Sequence, residues 1–135
     1  MRELKFRAWD KDKKVMHYDF QFIKSGEGIG QFILLISDKE DNVVKQQNPY
    51  PVDRFEIMQY TELKDNDGKE IYESDILKYK HTGEIVIVDW DNEIGCYIFD
   101  NENEIERDVY IGDMSLSNEY KIIGNKYENP ELMEE

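Results

Sequence analysis

Cysteine is nearly absent from this chain, and the single Cys96 excludes an intramolecular disulfide. A reducing, intracellular setting follows as the expectation. Long apolar runs are missing too. No window approaches the roughly 18 consecutive apolar residues of a membrane-spanning helix. The N-terminal MRELKFRAWDKDKK has no signal-peptide apolar region, so a cytoplasmic protein without membrane attachment is expected. Histidine is limited to His17 and His81. Neither has a second His or Cys at ligand spacing, so no zinc site is expected. Two of the three prolines, Pro49 and Pro51, are expected to interrupt any regular element, because each lacks a ladder donor. Cations are outnumbered: 17 Lys/Arg face 31 Asp/Glu, a net charge of −14. A duplex phosphate backbone would repel that field, so no direct nucleic-acid binding is expected.

The charge is unevenly placed. Residues 1–15 carry six Lys/Arg against three Asp/Glu, whereas residues 89–135 carry three against 14. The plain reading is a solvated acidic face. A basic front and an acidic tail would also attract each other across a homo-oligomer contact.

Period-two patterning dominates the rest. Leu4, Phe6 and Ala8 alternate with Lys5, Arg7 and Trp9. A polar turn, Asp10–Lys14, leads to a Tyr/Phe-rich strand from Val15 to Phe22. Gln31–Ile36 and Val43–Gln46 read as a hairpin, and Asp53–Met58 as a short helix or the lead into a strand. Asn66, Asp67 and Gly68 supply the tight turn of another hairpin. Ile85–Val88, apolar on both faces, suits a central strand. Tyr120–Tyr127 is the last strand. Asn129-Pro130 opens a short helical turn, with Asn at the cap and Pro at the first helical position. Trp9 and Trp90 are expected as core or junction anchors.

Few residues invite chemistry. With Gly68 at the sixth position of a calcium loop, Leu63 and Ser74 fall where the first and last ligands belong, so Asp65–Gly68 reads as a structural turn. Glu102, Glu104, Glu106 and Asp108 alternate along one strand. Their carboxylates could do acid–base work, but the pattern is that of a charged edge strand resisting unwanted pairing. Cys96 lies at a strand start, where an inert, buried thiol is usual. Ser74 and Ser115 lack a nucleophile-elbow context, and Gly26–Gly30 lacks the Lys of a phosphate-binding loop. No catalytic residue, metal or cofactor is expected. Tyr18, Phe20 and Phe22 alternate and would put three rings on one strand face. These rings and the four carboxylates are the candidate interaction residues.

Three blocks together resemble the YopX-like family of bacteriophage and prophage proteins. They are Lys5-Phe6-Arg7-Ala8-Trp9-Asp10, then Met58-Gln59-Tyr60-Thr61 through Asp75-Ile76, and Ile123-Gly124-Asn125 through Glu128-Asn129-Pro130-Glu131-Leu132. The chain departs from the family pattern at Glu62 and Ser74, where glycine is usual. Those two positions are therefore expected not to need positive φ. The resemblance implies a mostly β, phage- or prophage-encoded accessory protein acting in a bacterial host cell, with no established activity and no catalytic residues to carry over. The segment from Phe22 to Asp53 lies outside the shared blocks.

The expected fold is mainly β (β-dominated α+β), with an N-terminal strand subdomain over residues 1–56 packed on an SH3-like β-barrel over 57–135. Blocks Lys5–Asp10 and Ile123–Leu132 are expected to meet, a strand from the start pairing with one from the end. The expected function is non-enzymatic: an interaction module that binds a host or phage protein and self-associates as a homo-oligomer. One alternative is an acidic DNA mimic, which needs carboxylates of 89–135 in a phosphate-like row. Another is a small-ligand-binding protein or enzyme, which needs a pocket holding Cys96, a His or paired carboxylates.

Overall fold

The computed structural model describes residues 4–25, 31–40, 43–93, 95–100, 108–110 and 117–133. The fold is mainly β, with almost no helix among the described residues. It divides into two compact units, Arg7–Ile57 and Met1–Phe6 with Met58–Glu135.

In the unit Arg7–Ile57, β1 (Phe6–Asp10) and β2 (Val15–His17) form an antiparallel hairpin, with Trp9 opposite Met16 and Asp10 opposite Val15. The expected strand from Val15 to Phe22 is broken: Tyr18 and Asp19 separate β2 from β3 (Phe20–Ser25). β3, β4 (Gln31–Glu40) and β5 (Val43–Pro51) follow as an antiparallel meander in that order. The prolines do not end β5. They pair with Leu35 and Ile33 inside it, and β5 is an edge strand of its sheet. A proline pair cannot exchange two ladder bonds, so both occupy positions whose N–H would face away from β4. A 3-10 turn, Val52–Arg54, then enters β6 (Phe55–Lys64). Both expectations for that segment are therefore met in succession. Ala8 and Phe55 form the buried centre, with Phe20, Tyr50 and Ile57 packed on it.

β1 does not show the two-sided pattern its alternation suggests. Arg7, Ala8, Trp9 and Asp10 are all buried, while Leu4 and Phe6 are exposed. The strand has neighbours on both edges, β2 and β6. Neither is the last strand, Tyr120–Asn125, so the expected pairing of first and last strands does not occur.

In the other unit, β6 pairs with β7 (Glu70–Tyr72) through Tyr60–Tyr72 and Lys64–Glu70, with a bulge between them. Strands β8 (Asp75–Tyr79), β9 (Ile85–Asp91), β10 (Cys96–Asp100), β11 (Asp108–Tyr110) and β12 (Tyr120–Asn125) form an antiparallel sheet of order β11-β10-β9-β8-β12. β9 lies at its centre, as Ile85–Val88 suggested. Val86 and Val88 are buried against Leu63, Ile71, Leu77, Phe99 and Tyr120. The Phe99 and Tyr120 rings meet edge to face at 4.6 Å. Each such side chain contributes about 1.5–3 kcal/mol by leaving water.

The bulge in β6 explains a misread signal. Glu62 has φ of 72° and Ser74 φ of 71°, so both positions adopt the left-handed backbone although neither is glycine. At Glu62 the Thr61 hydroxyl supports the bulge, donating to the Ile71 carbonyl at 2.7 Å and accepting from the Leu63 N–H at 3.2 Å. Ser74 is held by its N–H to Val88 O at 2.8 Å and by Lys126 N–H to its carbonyl at 3.0 Å. Surrounding bonds thus enforce the conformation at a cost of about 1–2 kcal/mol each.

The chain closes as its Asn-Pro signal predicts. The Asn125 carboxamide oxygen accepts the Tyr127 and Glu128 N–H groups, and the Leu132 N–H bonds the Asn129 carbonyl at 3.1 Å in the 3-10 turn Pro130–Met133. Gly124 is required by close approach: a Cβ there would overlap the Asn129 carboxamide.

Candidate interaction surfaces

The two halves of the aromatic triplet have different surroundings. Tyr18 lies between strands and is 60 % exposed, whereas Phe20 begins β3 and packs on the Ala8–Phe55 core. The Phe22 backbone lies opposite Leu34, and its side chain lies outside the described residues. So do Glu102, Glu104 and Glu106. Asp108 opens β11 opposite Asp100, and β11 is the edge strand of its sheet.

The charged groups that sequence reasoning missed are buried. Asp10 is fully buried, and its carboxylate collects five donors. Oδ1 accepts the N–H groups of Asp12 and Lys13 at 3.0 Å and Arg54 Nε at 2.9 Å. Oδ2 accepts Arg54 Nη2 at 2.9 Å and His17 Nε2 at 3.1 Å. Burial pushes the carboxyl pKa up, but the bonds from Arg54, Lys13, His17 and Asp12 outweigh it and hold the group well below the carboxylate range. Arg54 is correspondingly raised, first by its hydrogen bond to Asp10. The guanidinium also lies over the Tyr50 ring, 4.2 Å from its centroid. An acceptor so fully used has little capacity to take a proton from a substrate. This node fastens the hairpin turn and the 3-10 turn of its unit. Only the Asp in a turn sequence hinted at it; nothing in the sequence joined it to Arg54.

Asp65 does similar work in the other unit. Its Oδ1 accepts the Asp67 and Lys69 N–H groups at 2.9 Å, and its Oδ2 the Ile122 N–H at 3.0 Å. The run that resembled a calcium loop thus turns its first carboxylate onto backbone donors. Asp75 likewise accepts the Tyr72 N–H at 2.8 Å. Glu119 sits on the surface, where Lys80 at 3.0 Å and His81 at 2.6 Å bond one carboxylate oxygen. Those two bonds, Lys80 first, lower its pKa.

Both histidines therefore engage carboxylates, and Cys96 is a half-buried free thiol. Among the described residues no three His, Cys, Asp or Glu side chains are grouped to hold a metal ion. No described helix is long and apolar enough to cross a membrane.

The exposed apolar side chains are distributed over both units. Val15 adjoins the hairpin turn whose Lys11, Lys13 and Lys14 are exposed, and Tyr18 follows the other end of β2. Leu4, Phe6 and Trp90 belong to the other unit. The two tryptophans diverge: Trp9 is buried, as expected of an anchor, but Trp90 is 40 % exposed. Trp90 stands at the end of β9, and its ring meets Tyr97 at 4.9 Å and 75°.

Comparison with known proteins bears on the whole chain. No curated protein matches it significantly. The solved structure of protein EF1440 from Enterococcus faecalis has a similar fold, with a TM-score of 0.67, 23% identity, and coverage of 99% of this chain and 100% of that one. Protein yopX from Bacillus subtilis is similar as well, with a TM-score of 0.60, 20% identity, and 97% and 96% coverage. The profile of the YopX protein family matches residues 5–134, nearly all of a sequence whose Lys5–Asp10 and Ile123–Leu132 blocks pointed the same way, and the chain belongs to that family.

Proposed function

We propose that this protein is a non-enzymatic interaction module of phage or prophage origin, which binds a host or phage protein in the bacterial cytoplasm and self-associates. The observation that carries the reading is the surface around the β1–β2 hairpin. Val15 is exposed there beside a turn with three exposed lysines, and Tyr18 is exposed just past the other end of β2. Tyrosine supplies a large contact area at small entropic cost and is enriched where proteins meet. On a chain of net charge −14, an apolar and cationic patch suits an acidic, partly apolar protein surface. The acidic stretch of a second copy is one such surface. The buried carboxylates Asp10, Asp65 and Asp75 support a non-catalytic reading, because they accept backbone or side-chain donors within the fold.

The test is capture of host proteins on the immobilised chain, eluted with rising salt, beside Tyr18→Ser and Val15→Ser variants. The expected result is a partner that persists through high salt and is lost from the variants. A partner released by moderate salt and displaced by duplex DNA would replace this reading with that of an acidic DNA mimic.

A further inference from the structure

We propose that the Trp90–Tyr97 corner receives a cationic side chain, arginine or lysine, carried on a basic segment of a partner protein. The proposal rests on the reading of the chain as an interaction module and gives the ligand chemistry of a second surface.

The register makes the corner. Trp90 and Tyr97 lie directly opposite each other on β9 and β10, as do Val88 and Phe99 one step inward. Alternation puts Trp90 and Tyr97 on the face that carries the buried Val88 and Phe99. The core ends there because the chain turns after Asp91, where the Gly95 N–H bonds the Asp91 carbonyl. Tyr97 packs on the core, while Trp90 remains 40 % exposed. At 75° between planes, one ring directs its positive edge toward the negative face of the other. An aromatic ring left partly open to solvent is what a cation seeks, and indole is the best of the natural rings for it.

The surrounding charge selects the sign of the ligand. Residues 81–106 contain no Lys or Arg and eight Asp or Glu. Asp89 and Asp91 flank Trp90 in the strand, and Glu93 is exposed in the turn that follows. At about 3.3 Å per residue, Asp89 and Asp91 fall within the Debye length of about 8 Å at physiological salt. Their field reaches the corner although alternation sends Asp89 and Asp91 to the opposite sheet face.

A short arginine- and lysine-rich peptide bearing a fluorescent label is titrated against the full chain at physiological salt, with the label's anisotropy as the readout, which does not require Trp90 to be present. Saturable binding is expected, weakened about tenfold in Trp90→Leu and largely kept in Trp90→Phe. Protein carrying fluorinated tryptophan, with its sequence otherwise intact, should bind progressively more weakly as fluorination rises. That series guards against a variant that merely misfolds. Equal binding by Trp90→Leu, or binding that salt abolishes identically in both proteins, would reduce the effect to net charge and overturn the proposal. Self-association that shields Trp90 without peptide would assign the corner to a second copy and overturn it as well. A chain that ignores the peptide yet captures a partner through Tyr18 would remove this proposal and leave the interaction reading standing.

Discussion

At Asp10, five donors converge on one buried carboxylate, and three of the bonds come from the side chains of Arg54 and His17. At Asp65, in the other unit, the carboxylate bonds of the turn come from the backbone N–H groups of Asp67, Lys69 and Ile122. Both residues open a turn and both satisfy N–H groups that would otherwise lack partners. The difference lies in what else they hold. Asp65 ties a hairpin to a neighbouring strand through dipoles alone. Asp10 neutralises a guanidinium, so its turn depends on charge as well as geometry.

The largest expected effect comes from removing the charged member of that contrast. Asp10→Ala should lower unfolding stability by about 3–4 kcal/mol, because a buried ion pair loses one partner. Asp65→Ala should cost about 2–3 kcal/mol by leaving three N–H groups without an acceptor. Urea unfolding of the two variants at neutral pH measures both. Equal losses would mean that the ionic component of the Asp10 node contributes nothing beyond its backbone bonds.

Acid sharpens the comparison further. The folded pKa of Asp10 is depressed, so its contribution is complete above the unfolded carboxylate value near 4 and is lost as pH falls toward the folded value. The stability gap between the wild type and Asp10→Asn should therefore narrow as pH drops from about 5 to 2. A gap independent of pH over that range would show that the carboxylate titrates alike in folded and unfolded chains.

Smaller effects separate tight packing from backbone strain. Gly124→Ala should cost about 1–2 kcal/mol, because Asn129 must retreat and give up its bond to the Asn125 N–H. Glu62→Gly and Ser74→Gly should each stabilise by about 0.5 kcal/mol: relief of left-handed strain slightly exceeds the added freedom of the unfolded chain. Thermal unfolding resolves the signs, and a loss in either glycine variant would mean that the native side chain stabilises the fold more than its strained backbone costs.

The sequence made local structure legible and distant contact illegible. The Asn66-Asp67-Gly68 turn, the central β9 and the closing Asn129-Pro130 turn rest on neighbours within a few residues, and each was readable. The Asp10–Arg54 bond joins residues 44 apart, and no local pattern encodes it. Glu62 and Ser74 were misread for a different reason. The lack of glycine suggests an ordinary φ, whereas hydrogen bonds involving Thr61, Val88 and Lys126 hold these residues where their own preference would not. Pro49 and Pro51 are compatible with β5 because an edge strand needs no outward donors, and edges are not visible in a sequence. Trp90 has a core residue's chemistry at a strand end where the core has run out.

The Asp10–Arg54 clasp also changes what lies between its ends. Together with the bond from Lys11 N–H to the Arg54 carbonyl at 3.1 Å, it closes residues 11–53 into an excursion gathered at its base. Entropy charges such a closure weakly for length: doubling the enclosed chain adds only about 0.6 kcal/mol. Length within the excursion is therefore a weak constraint, whereas identity is a strong one at His17, which bonds Asp10, and at Phe20 and Tyr50, which pack on Ala8 and Phe55.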